Sequence, residues 1–286
     1  MTTTYTATLP RAQAEALAAA IEPGLEELGV AHTLFEVSDG ASEWRVAVYA
    51  EPDADGAAAR VLSDAAPLVA FERAELADED WVTRSLTALA PVRAGGFVVH
   101  GSHDRGVART GETAVEIDAA RAFGTGHHGT TAGCLVALDR LLRRGTPRRV
   151  LDLGTGSGVL AIAVARRARV PVLATDIDPV AVAIARDNAR LNGVGSLVRA
   201  TVARGLAHRS IRAGAPYDLI VANILAGPLR AMAPAIARHL APGGRVVLSG
   251  LLEHQRAGVV AACRAQGLRL EATLLRERWA TLTLAG

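Results

Sequence analysis

The chain has only two cysteines, Cys134 and Cys263, with no Cys-x-x-Cys spacing. That excludes a disulfide framework and a cysteine zinc site, and it fits a reducing cytoplasm. Lysine is missing altogether, so all 31 basic residues are arginine. In a chain this rich in Ala and Gly, that is the bias of a GC-rich genome rather than of a mechanism. The excess of charge is small, net +2, too little to argue for nucleic acid, so DNA is not expected as a partner. A weakly anionic surface remains allowed. No apolar run reaches membrane-spanning length without an Arg, Asp or Gly interrupting it. The N-terminal residues lack the charged start and long apolar core of a signal peptide, and the expected location is cytoplasmic. Half of the 286 residues are apolar, enough for one large domain and a small one.

The most informative stretch is Val150-Leu-Asp-Leu-Gly-Thr-Gly-Ser-Gly158. A short apolar run meets Asp152, glycines follow at 154, 156 and 158, and a one-faced apolar helix pattern comes next. Strand, glycine turn and helix together make a nucleotide-type site, because glycine permits close approach and the helix start offers free N–H groups. A dinucleotide site also uses such a turn, with the spacing G-x-G-x-x-G. Here the glycines alternate, and an acid precedes them by two residues. Pyrophosphate needs many backbone donors, whereas an acid such as Asp152 suits a cationic amino or sulfonium group. This favours S-adenosylmethionine over NAD.

The next strand, Pro171-Val-Leu-Ala-Thr, ends at Asp176, where an acid can accept from ribose hydroxyls. Asp178 before Pro179 reads as a helix cap, and the converse assignment stays open. A third strand end brings Asn223, whose amide has both a donor and an acceptor to orient an attacking amine. The segment from Asp118 to Thr131 is rich in Gly and hydroxyls. It reads as a loop that closes over the site, with Thr130 or Thr131 capping the helix that follows and offering a hydroxyl to ligand. His127 and His128 are adjacent and point apart, so no metal site is expected. A substrate-orienting or proton-accepting role for one of them stays open. Ala241-Pro-Gly-Gly marks a turn into a buried strand, and the run from Asp187 to Gly193 reads as a helix end.

Along the chain, strand 2–9, helix 11–28, strands at 32–37 and 44–49, and helix 53–65 make a ferredoxin-like module. Residues 72–90 read as a connecting helix stopped by Pro91. Strands are expected at 97–100 and 113–117. From 129 onward helices alternate with strands at 149–153, 171–176, 197–202, 217–222 and 244–250, a doubly wound parallel sheet. The last two runs, 268–275 and 278–284, form a hairpin that supplies an antiparallel edge strand. The fold class is α/β, Rossmann-like. The expected divisions are a ferredoxin-like recognition domain at 1–68, a linker helix at 69–95 and a catalytic domain at 96–286.

Asp152-x-Gly-x-Gly-x-Gly158 with Asp176 resembles the class I S-adenosylmethionine-dependent methyltransferases. More narrowly, Ala122-Phe-Gly-Thr-Gly-His-His-Gly-Thr-Thr131, Asp176-Ile-Asp-Pro179 and Val221-Ala-Asn-Ile-Leu-Ala-Gly-Pro-Leu229 resemble the PrmA-type ribosomal protein methyltransferases. The resemblance implies S-adenosylmethionine held by Thr131, Gly154, Asp176 and Asn223, with Phe123 to His127 bordering the methyl-transfer site, and the glycine turn itself makes Gly156 a further candidate contact. It implies methylation of lysine side-chain or N-terminal amino groups on the eleventh large-subunit ribosomal protein by a monomer. Two other readings stay open on the residues alone. One is an NAD-dependent oxidoreductase, since Asp176 also suits an unphosphorylated ribose. The other is a non-catalytic ribosome-associated module that kept a nucleotide fold.

Overall fold

A computed structural model of the chain describes residues 2–28, 30–37, 43–50, 52–76, 91–117, 129–276 and 278–286. Two compact units divide it, Met1–Ser85 and Leu86–Gly286.

In the first unit, β1 (Thr2–Pro10), α1 (Arg11–Glu27), β2 (Ala31–Glu36), β3 (Glu43–Ala50), α2 (Asp55–Ala65) and β4 (Glu72–Leu76) follow one another. The sheet runs β2-β3-β1-β4 and is antiparallel throughout. This is the expected ferredoxin-like β-α-β-β-α order, completed by a fourth strand. The stripe Ala14, Leu17, Ile21 and Leu25 of α1 is buried, as its spacing demands. Tyr5 on β1 donates to Asp55 at the start of α2 (2.6 Å), and Arg73 on β4 donates to the other oxygen (2.8 Å).

β4 corrects the expectation of a helix starting at Glu72, and it carries the first unit's sheet past residue 68. Glu-Arg-Ala-Glu-Leu favours a helix by propensity, but the free edge of β1 pairs with it from Thr2↔Leu76 to Thr6↔Glu72. Residues 77–90 of the expected linker helix lie outside the described residues.

The second unit opens with β5 (Val92–Ala94), β6 (Phe97–His100) and β7 (Thr113–Glu116), a small separate sheet. Then come α3 (Gly129–Leu142), β8 (Val150–Leu153), α4 (Val159–Ala168), β9 (Val172–Asp176), α5 (Pro179–Leu191), β10 (Val198–Val202), α6 (Arg209–Gly214), β11 (Tyr217–Asn223), α7 (Ala226–His239), β12 (Leu240–Leu252), α8 (Arg256–Arg264), β13 (Arg269–Arg276) and β14 (Trp279–Ala285). Seven strands form one sheet in the order β10-β9-β8-β11-β12-β14-β13. One core packs α3, α4 and α5 on one face, and a second packs α7 and α8 on the other. The strand order reverses between β8 and β11, the switch point at which such sheets bind ligands.

The C-terminal hairpin forms, but its antiparallel strand is not the edge. β14 runs antiparallel to both β12 and β13 and lies between them. Burial explains the choice. β14 is buried along nearly its whole length, while β13 carries exposed Arg269 and Arg276. A charged strand tolerates an open edge, and an apolar one does not.

Candidate active site

All the described site residues sit at the carboxyl ends of β8, β9 and β11 or at the start of α3. Asp152 is fully buried on β8. Its Oδ2 accepts from Thr155 Oγ1 (2.6 Å) and from the N–H of Ala161 in α4 (3.1 Å). Its Oδ1 has no partner among the described residues. Burial, the larger cause, pushes this carboxyl up to about 6, with the nearby Asp176 charge adding to the effect. The orphaned oxygen is what a cationic ligand group would satisfy.

A pH dependence follows. Asp152 is raised from 3.8 to about 6, so between those values the folded chain holds a proton that the unfolded chain has lost. The stabilisation it brings is complete below about pH 4 and is lost as pH rises through about 6. A bound cation favours the ionised form. Affinity for S-adenosylmethionine is therefore expected to rise with pH through about 6, with proton release near that pH. Calorimetry in buffers of differing ionisation heat measures it. A flat affinity with no released proton contradicts the placement of Asp152.

Asp176 closes β9. Its carboxylate accepts from the N–H of Gly156 (2.9 Å) and of Asp178 (3.1 Å). These bonds fix it against the glycine turn and leave lone pairs for ribose hydroxyls. Asp178 is the cap, accepting from the N–H of Val180 (2.8 Å) with Pro179 at the first helical position. Gly154 has φ +74°, and a Cβ there would stand 2.3 Å from Cγ2 of Ile224. The first glycine of the turn therefore makes room for the residue after Asn223.

Asn223 ends β11 and directs Nδ2 toward Thr130 Oγ1 and Thr131 Oγ1, each at 3.4 Å. Its Oδ1 has no donor among the described residues. The threonines stand inside the first turn of α3 rather than at its cap, because the described helix starts at Gly129. Phe123, His127 and His128, with the rest of the loop at 118–128, lie outside the described residues. Among the described residues no group of His, Cys, Asp and Glu could hold a metal ion, and no helix is long and apolar enough to cross a membrane.

The chain belongs to the ribosomal protein L11 methyltransferase family. The PrmA family of that description matches residues 9–285. Similar proteins include the ribosomal protein L11 methyltransferase of Mesorhizobium japonicum, 51% identical over 280 residues that cover 97% of each chain. The Brucella suis protein of that name is 50% identical over 274 residues and 96% of each. Among solved structures, a ribosomal protein L11 methylase from Lactobacillus delbrueckii subsp. bulgaricus matches with a TM-score of 0.62 at 29% identity. That match covers 68% of this chain and 98% of that one. The chain is accordingly a methyltransferase whose cofactor is S-adenosylmethionine. The orphaned Asp152 oxygen, the anchored Asp176 carboxylate and the glycine turn fit that molecule.

Several supporting residues escaped sequence reasoning. Asn188 donates to the Ser157 carbonyl (2.9 Å) and steadies the glycine turn, while Asn192 bridges α5 to the backbone of Glu116 in β7. Both fall in a run that reads as a plain helix end. The end itself behaves as read: Gly193 has φ +67°, and its N–H bonds to the Arg190 carbonyl. Ile177 and Leu225, just past the ends of β9 and β11, are large apolar side chains left 66% and 72% exposed.

Ser249 is the least visible. It pairs in register with Asn223 across β11 and β12. Fully buried, it lies 2.9 Å from Thr281 Oγ1 and 3.4 Å from the Thr130 carbonyl. Gly133 leaves the space: a Cβ there would meet Thr281 Oγ1 at 2.2 Å. Ser249→Ala, which leaves the buried Thr281 Oγ1 without that partner, is expected to loosen the start of α3 and cost about 1–3 kcal/mol of stability. Denaturant unfolding checks it, and an unchanged midpoint refutes a structural tie.

Proposed function

We propose that this chain transfers the methyl group of S-adenosylmethionine to amino nitrogens, of lysine side chains or of the N-terminus, on ribosomal protein L11. The observation that carries the amine reading is the end of β11. Asn223 is held by its donor side on Thr130 and Thr131, so its acceptor oxygen is free to take an N–H from an incoming amine. When bound, S-adenosylmethionine supplies a methyl on a positively charged sulfur, a leaving group already activated.

The residues of the chain have three tasks. Asp176 and the glycine turn hold the adenosine end. The carboxyl of Asp152 offers negative charge to the cationic end. Asn223 orients the amine lone pair, so that most of the rate comes from alignment. A free lysine amine has a pKa of about 10.4 and is protonated at neutral pH. A cleft that brings two cations together depresses that value and favours the neutral, nucleophilic amine.

The first unit, with its four-stranded sheet, is proposed to recognise the protein substrate. Its described residues carry no constellation like that at the end of β8, β9 and β11. Asp176→Ala is expected to weaken S-adenosylmethionine binding by about 10-fold to 100-fold, through two lost charge-assisted hydrogen bonds. Unchanged affinity by calorimetry rejects the ribose assignment.

The experiment for the whole reading is mass spectrometry of purified ribosomal protein L11 after incubation with the enzyme and methyl-labelled cofactor. Label on lysine or terminal amines is expected. Absence of label, or label on a side-chain amide or carboxylate, overturns it. Fluorescence titration with NAD separates off the dehydrogenase reading, which nothing in the site's geometry favours.

A further inference from the structure

The opposite end of the sheet carries a different chemistry. A groove of about 640 Å³ opens at the amino ends of β8 and β9, with Arg148, Arg149, Arg199 and Arg209 on its walls. It continues past Ser196 and Arg199 into a second depression lined by Arg186 and Arg190. Among the described residues six arginines line the two, and no Asp or Glu does. In a chain with 31 basic and 29 acidic residues, that is a strong local segregation of charge.

The four arginines of the groove are exposed, and among the described residues none makes an ion pair. Asp218 accepts through Oδ2 the backbone N–H groups of Arg148 and Arg149 (2.8 and 2.9 Å), and among the described residues no guanidinium of the groove pairs with it. The Arg149 guanidinium donates to the carbonyl of Ala215, at 3.5 Å. In the second depression Arg186 donates to the Ala200 carbonyl (2.9 Å), and Arg190 pairs with Asp187 (2.8 Å). The groove floor is apolar, from Pro171, Val172 and Leu173. β9 runs from this floor to Asp176, so the groove lies about 13 Å from the methyl-transfer edge.

We propose that this groove binds the phosphodiester backbone of RNA. Guanidinium forks match phosphate oxygens bidentately, and an open, extended cationic trough follows a chain of phosphates rather than a single anion. The near-zero net charge hides this, because acidic residues elsewhere cancel it. The inference stands apart from the methyl acceptor: RNA held at the amino edge leaves the carboxyl edge open to substrate. For an enzyme whose substrate is a ribosomal protein, such a groove provides a second hold on a ribonucleoprotein particle.

The test uses the full chain and fluorescence anisotropy of a labelled short RNA duplex. Four phosphate contacts predict that affinity falls about 100-fold between about 50 and 200 mM salt. Substituting Arg148, Arg149, Arg199 and Arg209 by alanine is expected to abolish most of that salt slope, with methyl transfer to free ribosomal protein unchanged. A control removes the same charge from exposed Arg60, Arg238, Arg264 and Arg276 and is expected to keep the slope. If the groove variant unfolds, Arg199→Glu with Arg209→Glu takes its place. No binding, equal loss in the control, or equal binding of polyglutamate each overturns the proposal.

Discussion

Asn223→Ala is expected to slow single-turnover methyl transfer by about 100-fold or more, the cost of a lost aligning contact in a reaction driven by positioning. Affinity for S-adenosylmethionine should fall by only about 10-fold, the worth of one hydrogen bond. The split between the two is the prediction. Among the described residues Asn223 meets the helix start only through two long Nδ2 contacts, to Thr130 and Thr131 at 3.4 Å, so truncation removes the acceptor at little cost to that helix. Asn223→Asp keeps an acceptor but loses the donor to Thr130 and Thr131, and it should recover part of the rate. Rapid-quench kinetics with saturating cofactor measures the effect. A near-wild-type rate for the alanine variant rejects the orienting role.

Gly250→Ala should be the most damaging single-methyl change in the catalytic unit. Gly250 sits on β12 with φ +83°, and a Cβ there would stand 2.4 Å from the carbonyl oxygen of Ile224 and 2.8 Å from its nitrogen. The obstacle is backbone, so no rotamer relieves it. The left-handed conformation adds about 1–2 kcal/mol for any residue with a Cβ. The overlap adds about 1–3 kcal/mol more as the chain shifts. Ile224 follows Asn223 and fills the space that Gly154 leaves, so relief of the clash displaces Asn223 and the glycine turn together. Denaturant unfolding should show a loss of about 2–5 kcal/mol, with turnover falling further than stability explains. A variant within about 0.5 kcal/mol of the parent shows that the strand end is plastic and the account of its geometry wrong.

Much of this architecture is legible in the residues because local and global signals agree. The β8 turn is strand, glycine and helix at once, and Asp178-Pro179 caps α5 where the pattern places it. The failures have one cause, tertiary competition that a linear pattern does not carry. Residues 72–76 favour a helix until the edge of β1 offers hydrogen bonds. The hairpin is plain, but which of its strands inserts beside β12 depends on two-faced burial. Asn188, Asn192 and Ser249 read as a helix end and a strand interior because their partners are distant in sequence: Ser249 contacts Thr281 and the Thr130 carbonyl. Asp176 and Asn223 were legible as candidates because they end strands, and strand ends gather at one edge of such a sheet.

A crystal structure of the enzyme with S-adenosylmethionine tests the central claim most directly. The account predicts the ribose against the Asp176 carboxylate, the methionine end beside the Gly154–Gly156 turn, and the methyl facing the oxygen of Asn223 across open space. Density for the ligand at another edge of the sheet, or a methyl turned into the core, contradicts it.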